Sequence, residues 1–147
     1  PALNKRIVAI RGKGVWINDQ PLTPKTRLSS GSTCISLCSR SIRVLQRKPD
    51  QPFPGKIRLL GVASLNMAGV AMGQTIAALE ASPKIWDIAS AWLVLTELHC
   101  PVEWLEKDPS KLRAGENLTK ADFPVLTASS KDHLRSLSPW GQELLKK

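Results

Sequence analysis

GVASLNMAGVAMGQTIAALEASPKIWDIASAWLVLTELHC, residues 61 to 100, is the stretch that decides the fold. Leu65 to Met72 is small and apolar, suited to a closely packed helix that ends at Gly73. Thr75 to Glu80 reads as a strand. From Pro83 to Leu98 apolar residues occupy nearly every helix face, while Asp87, Ser90 and Glu97 fall on one stripe. That pattern predicts a helix buried on most sides. At ~1.5 Å per residue it is about 20 Å long, enough to cross a sheet. Glu80 closes a strand, and Asp87 stands behind Trp86 in the first turn of a helix. Two such carboxylates are parts of an anion or metal site but do not complete one, because Mg²⁺ takes near-octahedral oxygen coordination.

Outward from this stretch the alternation of strand and helix continues. Ile57 to Val62 reads as a strand that leads into it. Thr33 to Cys38 is another, followed by a short helix over Ser41 to Leu45 and by the breaker Lys48-Pro49-Asp50-Gln51-Pro52-Phe53-Pro54-Gly55. Cys34 and Cys38 share one strand face and read as packed core residues. Ile7-Val8-Ala9-Ile10, Val15-Trp16-Ile17 and Gln20-Pro21-Leu22 read as short antiparallel strands joined by two turns, with a Thr-, Ser- and Gly-rich loop from Pro24 to Ser32 beyond them. Gly12-Lys13-Gly14 lacks the GxxxxGK[ST] pattern of a phosphate loop, so it reads as a hairpin turn. On the other side, Val102 to Leu105 and Phe123 to Ala128 are strand candidates around a polar connection from Lys107 to Asp122. Asp132 to Lys147 reads as a last helix that Pro139 kinks or breaks in two. The class is α/β, an open sheet covered on both faces.

Gly61-Val62-Ala63-Ser64-Leu65, Val70-Ala71-Met72-Gly73, Glu80, Trp86-Asp87-Ile88-Ala89 and Glu97, in that order, resemble the C-terminal signature of the inositol monophosphatase family. That family consists of Mg²⁺-dependent, typically lithium-sensitive phosphomonoesterases and includes inositol, nucleotide and sugar phosphatases. The resemblance implies the layered C-terminal α/β domain of the sugar phosphatase fold over residues 31 to 147. Residues 1 to 30 would then be a hairpin and linker ending the sheet of a preceding α+β domain. It implies Asp87 as a metal ligand, Glu80 as the carboxylate that meets a substrate hydroxyl, and Gly61, Val62 and Ala63 as backbone lying along the substrate. A phosphorylated small molecule, the missing N-terminal half and a homodimer are the partners it implies. The family's other metal ligands come from a Glu-Glu pair and an Asp-Pro-Ile-Asp-Gly-Thr motif, and neither occurs in this sequence. No complete catalytic set is therefore expected in this chain. Two departures stand out: Asp19 replaces the last glycine of the family's GxGAxxNG hairpin, and Leu98-His99-Cys100 stands where the family continues Ala-Gly-Gly.

The residues themselves leave alternatives open. A carboxylate in a first helical turn is favoured by the helix dipole without any ligand, a strand-end glutamate can simply be solvated, and Gly61 can merely space a strand from a helix. With 147 residues and 42% hydrophobic content the chain has the size of one domain and enough apolar surface for a core. Pro1 is no initiator, so a piece of something longer is expected. Residues 1 to 60 hold twelve Lys and Arg against Asp19 and Asp50, a balance of +10, while residues 61 to 147 hold nine against ten. Such an imbalance points to phosphates, RNA or an acidic surface of the same protein. RNA is not expected, because Trp16 is the only aromatic residue before Phe53. Cys34, Cys38 and Cys100 form no CxxC pair, which argues for reduced, buried thiols and a cytoplasmic protein, and His99 and His133 lack zinc-ligand spacing. No membrane span or secretory signal is visible. The sequence therefore predicts the C-terminal portion of a Mg²⁺-dependent phosphomonoesterase, inactive alone. Its rivals are a catalytically dead interaction domain and a basic RNA- or phosphate-binding module.

Overall fold

A computed structural model describes residues 4–24 and 33–146. The expected loop from Pro24 to Ser32 lies almost wholly outside the described residues, as does the domain boundary expected after residue 30. Eight strands and four α-helices are formed among the described residues. Five of the strands make a mixed sheet in the order β5 (Lys56–Arg58), β4 (Cys34–Leu37), β6 (Ala77–Glu80), β8 (Val125–Ala128), β7 (Val102–Trp104). β4 runs parallel to both β5 and β6, and β8 runs antiparallel to β6 and β7. The central strands β6 and β8 are buried along their whole length, which is why they read as continuous apolar runs rather than as alternating ones.

The period of two along each strand sorts side chains onto two faces. On one face Ala78 and Val125 join Met67, Val70 and Ala71 of α2 (Ala63–Ala71) and Ile88, Ala91, Val94 and Leu95 of α3 (Ile85–Glu97). On the other face Ile35, Leu37, Ala77, Leu79 and Leu126 meet Val44 of α1 (Arg43–Arg47) and Leu137, Trp140 and Leu144 of α4 (Lys131–Leu145). A three-stranded antiparallel sheet forms a further layer: β1 (Ile7–Ile10), β2 (Gly14–Ile17) and β3 (Gln20–Leu22). Its Val15 is 2% exposed and belongs to the same core as α2 and α3. The tight turn between β2 and β3 places Asn18 at φ 47° and Asp19 at φ 66°, so Asp19 takes the left-handed position that a glycine would otherwise fill.

Four expectations need correction. α3 is not buried on most sides: Ile88, Ala91, Val94 and Leu95 are buried, while Asp87, Ala89, Ser90 and Thr96 are exposed and Trp86 is 61% exposed. α2 and the small sheet cover one side of α3, and the helix carries more apolar residues than that side can hold. β5 ends at Arg58 rather than at Val62, because it pairs with β4 over only three residues and Leu59 and Leu60 then turn outward, 53% and 55% exposed. Pro139 does not break α4. It lies on the exposed side, so the carbonyl it frees, that of the exposed Arg135, is open to water. Finally, of the three cysteines only Cys100 is buried, whereas Cys34 and Cys38 are half-buried, Cys38 because β4 ends one residue before it.

The end of α3 shows how a helix closes without glycine. His99 takes φ 55°, its N–H donates to Thr96 O at 3.0 Å, and the Cys100 N–H donates to Leu95 O at 2.9 Å. This is the paired 5→2 and 6→1 arrangement usually built on a left-handed glycine. The basic residues find work inside the fold as well. Arg43 Nη2 donates to Leu144 O at 3.1 Å, and Arg47 Nη1 donates to Glu143 O at 2.9 Å and to Lys146 O. Two guanidinium groups thus occupy the carbonyl end of α4, where the helix dipole favours positive charge. No described helix is long and apolar enough to cross a membrane.

Candidate active site

The C-terminal ends of β4 and β6 open into a cleft of about 420 Å³ between the starts of α2 and α3. Helix N-termini and strand C-termini meet there, the usual ligand position of an open α/β sheet. Gly61, Val62 and Ala63 line it from the entry to α2, Glu80 from the end of β6 and Asp87 from the first turn of α3. All five residues singled out in the sequence therefore reach one cavity. Cys38, Ser39 and Arg40, just beyond β4, together with Ser64, Ser82 and Pro83, complete the lining.

Gly61 adopts φ +75°, and a β-carbon built on it would meet nothing within 4 Å. Glycine is required there by backbone conformation rather than by lack of space. The left-handed turn delivers Val62 in extended geometry (φ −133°, ψ 114°) as the residue before α2, with no side chain bonded to the first helical amides. The N–H groups of that turn are thus without a side-chain acceptor at the edge of the cleft.

Glu80 is not solvated, as a strand-end carboxylate could be. It is 3% exposed and accepts a hydrogen bond of 2.6 Å from Nδ2 of Asn66, which is 0% exposed. Burial pushes its carboxyl above the ordinary value of 4.5, the hydrogen bonds of Asn66 and Cys38 oppose that shift, and the charge of Asp87 adds to it. Asn66 Oδ1 finds no hydrogen-bond partner among the described residues. Cys38 Sγ contacts Ser41 Oγ at 3.0 Å and accepts from the Ala81 N–H at 3.3 Å. Sequence reasoning missed both supports of Glu80. Asn66, the one amide between Gly61 and Gly73, was a usable signal; nothing marked Cys38.

Asp87 is exposed and accepts the Lys84 N–H at Oδ2, 2.9 Å, while its own N–H donates to Lys84 O at 3.0 Å. It closes the first turn of α3, and Oδ1 accepts no hydrogen bond among the described residues. Glu97, the last acidic residue of the signature, is not in the cleft. Its Oε1 accepts the Gly12 N–H at 2.9 Å and its Oε2 the Gly14 N–H at 3.1 Å. The glycine turn read as a hairpin does bind an anion, and that anion is the protein's own carboxylate.

Among the described residues no three His, Cys, Asp or Glu side chains converge on a common point. Asp87 can offer an oxygen to a hard cation, and Glu80 lies buried in the same cleft. That donor set fits one corner of a Mg²⁺ site and leaves the other oxygen positions to groups elsewhere.

Among curated proteins none matches this chain. Solved structures do. An inositol monophosphatase/NADP phosphatase complexed with NADP and Ca²⁺ is 24% identical, aligns over 93% of this chain and 51% of its own, and has a TM-score of 0.67. Staphylococcal inositol monophosphatase-1, soaked in LiCl, is 23% identical over 99% of this chain and 51% of its own, with a TM-score of 0.66. Inositol monophosphatase II of Staphylococcus aureus MSSA476 is 18% identical over 99% and 56%, with a TM-score of 0.71. The chain thus spans about half the length of the structures whose fold it shares. The sequence pattern of the inositol monophosphatase family matches residues 1–133, and the chain belongs to that family.

Proposed function

We propose that this chain supplies the C-terminal half of the active site of a Mg²⁺-dependent phosphomonoesterase that acts on an inositol phosphate or a related sugar or nucleotide phosphate. The observation that carries this reading is the convergence of Gly61, Val62, Ala63, Glu80 and Asp87 on one cleft from three separate elements. Family membership and the likeness to phosphatases that bind NADP and Ca²⁺ in one case, and Mg²⁺ and phosphate in another, support it.

In this reading Asp87 holds one side of the metal, with the remaining ligands contributed from outside this chain. Mg²⁺ bound there would neutralise phosphoryl charge and activate water. The chain's own residues orient the ester. The left-handed Gly61 brings the backbone of Val62 and Ala63 close to it. Glu80, fixed by Asn66, meets a hydroxyl of the alcohol portion and so sets its rotation relative to the metal. Glu80 and Asp87 together outweigh Arg40, the one cation of the lining among the described residues, so a phosphate would meet net repulsion in the cleft unless a metal offset it.

Asp87→Asn tests this in the assembled enzyme. Asparagine keeps an oxygen for the Lys84 N–H and loses only a first-turn charge worth about 0.3–1 kcal/mol, so the melting temperature is expected to stay close to wild type. Turnover at limiting Mg²⁺ is expected to fall at least about 10-fold, the scale of losing support at a metal site. Unchanged turnover would leave Asp87 with its helix-terminus role alone. Two of the arginines that an RNA-binding reading would draw on, Arg43 and Arg47, are engaged with α4.

A further inference from the structure

Arg40 stands in the short 3-10 turn Ser39–Ile42 that follows β4 and is the one cation lining the cleft among the described residues. Its Nη1 donates to Ser82 Oγ on the opposite connection, and it forms no ion pair with a described carboxylate. The other arginines near it differ: Arg43 and Arg47 are committed to carbonyls of α4, and Arg58 donates to Ile57 O. A guanidinium has five donors, and one hydroxyl uses one of them. Arg40 is therefore an exposed, largely unspent fork in a cavity that also holds Glu80 and Asp87.

Building on the phosphomonoesterase reading, we propose that Arg40 is a specificity-determining residue that binds a second anionic group of the substrate, distinct from the phosphate that is cleaved. The charges divide the cleft. Glu80 is suited to a hydroxyl and repels an anion. Asp87 attracts the cation that accompanies the scissile phosphate. Arg40 is what remains for a further phosphate or carboxylate, which its planar fork can grip with two parallel hydrogen bonds. The hydrogen bond to Ser82 holds the guanidinium, so that less side-chain freedom is lost on binding. The ligand class is a phosphate ester bearing a second anion.

The test is equilibrium binding to the assembled enzyme by titration calorimetry, with Ca²⁺, the cation found with NADP in a similar structure, in place of Mg²⁺. The probes are inositol 1-phosphate, inositol 1,4-bisphosphate, glucose 1-phosphate and glucuronic acid 1-phosphate. At least one member of each pair that carries the extra anion is expected to bind about 10-fold tighter than its partner, the scale of one charge-assisted hydrogen-bonded contact. Whichever anion gains shows whether phosphate or carboxylate is read. Arg40→Gln is expected to abolish that ratio and leave the ligand without the extra anion unaffected, Arg40→Lys to restore part of it, and Ser82→Ala to lower it only in part. A ratio near one in the wild type overturns the proposal. So does an equal loss for both ligands in Arg40→Gln, which would place the residue on the scissile phosphate. Loss of the ratio in Ser82→Ala to the same extent as in Arg40→Gln would make Arg40 a structural latch and also overturn it. Binding of none of the four ligands would instead overturn the phosphate-ester reading of the cleft.

Discussion

Glu80 is the residue on which folding and function meet. Its carboxyl is buried on the α2 side of the sheet with a single amide against it, and burial lifts its pKa above 4.5. The folded state therefore binds a proton that the unfolded state gives up between 4.5 and the raised value. Stability linked to this group is complete below pH 4.5 and is lost as pH rises through the folded pKa. Glu80→Gln keeps the shape and an oxygen for Asn66 but cannot ionise. The variant is expected to match wild type below about pH 4.5 and to melt at a higher temperature than wild type near pH 7. Melting curves across this range check it, and a variant less stable at neutral pH would show that the charged carboxylate is a net stabiliser. Lost activity in the same variant would show that stability is given up here for substrate contact.

The five residues that line the candidate cleft were named from the sequence, and the supports of Glu80 were not. Asp87 and Glu80 stood out through their resemblance to the family's signature, since patterning alone left a helix-dipole role and a solvated strand end open. Asn66 stands fourteen positions from the glutamate it holds, and Cys38 reaches Ala81 from another strand. Such pairings are set by strand order, which local patterning does not encode. The same holds for Arg40 and Ser82, neighbours across forty-two positions.

Among the elements, the hairpin and α3 are joined by a contact that no local rule foretells. β1 to β3 were readable as strands because Asn18-Asp19 and Gly12-Lys13-Gly14 punctuate them. That the second of these turns would present two N–H groups to Glu97, eighty-five and eighty-three positions away, was not. The contact explains why a short antiparallel sheet stays on the outside of α3 with Val15 as its main buried anchor. Glu97→Ala removes both acceptors from amides that are exposed or only part-buried. It is expected to cost about 1–2 kcal/mol, the range of hydrogen bonds to a charged group discounted for solvent. Hydrogen exchange at Gly12 and Gly14 is expected to accelerate while exchange in β6 and β8 stays slow. Unchanged protection at the turn would mean that the Val15 contact alone seats the hairpin. Helix α3 teaches the reverse lesson: its apolar excess was correctly seen and wrongly assigned to burial, because sequence shows how much apolar surface exists but not how much neighbouring structure is there to cover it.

For the whole molecule that uncovered surface becomes a prediction. Leu65 and Trp86 are 56% and 61% exposed, Leu59, Leu60 and Val62 are exposed on the approach to α2, and an apolar groove lined by Ile7, Leu65, Ala68, Ala91 and Val94 runs between α2, α3 and β1. β1 and β3 each pair with β2 alone among the described residues, leaving a free edge on either side of the small sheet. The groove and the small sheet lie on the side of the sheet that carries α3 and Asp87, the exposed carboxylate of the cleft, for which the proposed function requires further metal ligands. The chain alone is therefore expected to release no phosphate from inositol 1-phosphate above background, and to self-associate as its concentration rises. A separately expressed segment carrying the family's acidic motifs is expected to bind it, suppress self-association and produce Mg²⁺-dependent phosphate release, with Asp87→Asn as the control that binds without restoring turnover. Sedimentation and a phosphate assay on the same mixtures check both halves of this expectation. Phosphate release by the chain alone would mean that Asp87 and Glu80 recruit metal without further carboxylates. A monodisperse monomer that ignores the acidic segment would mean that the apolar face is matched to a different partner, and the interaction-domain reading would then stand in place of the enzyme.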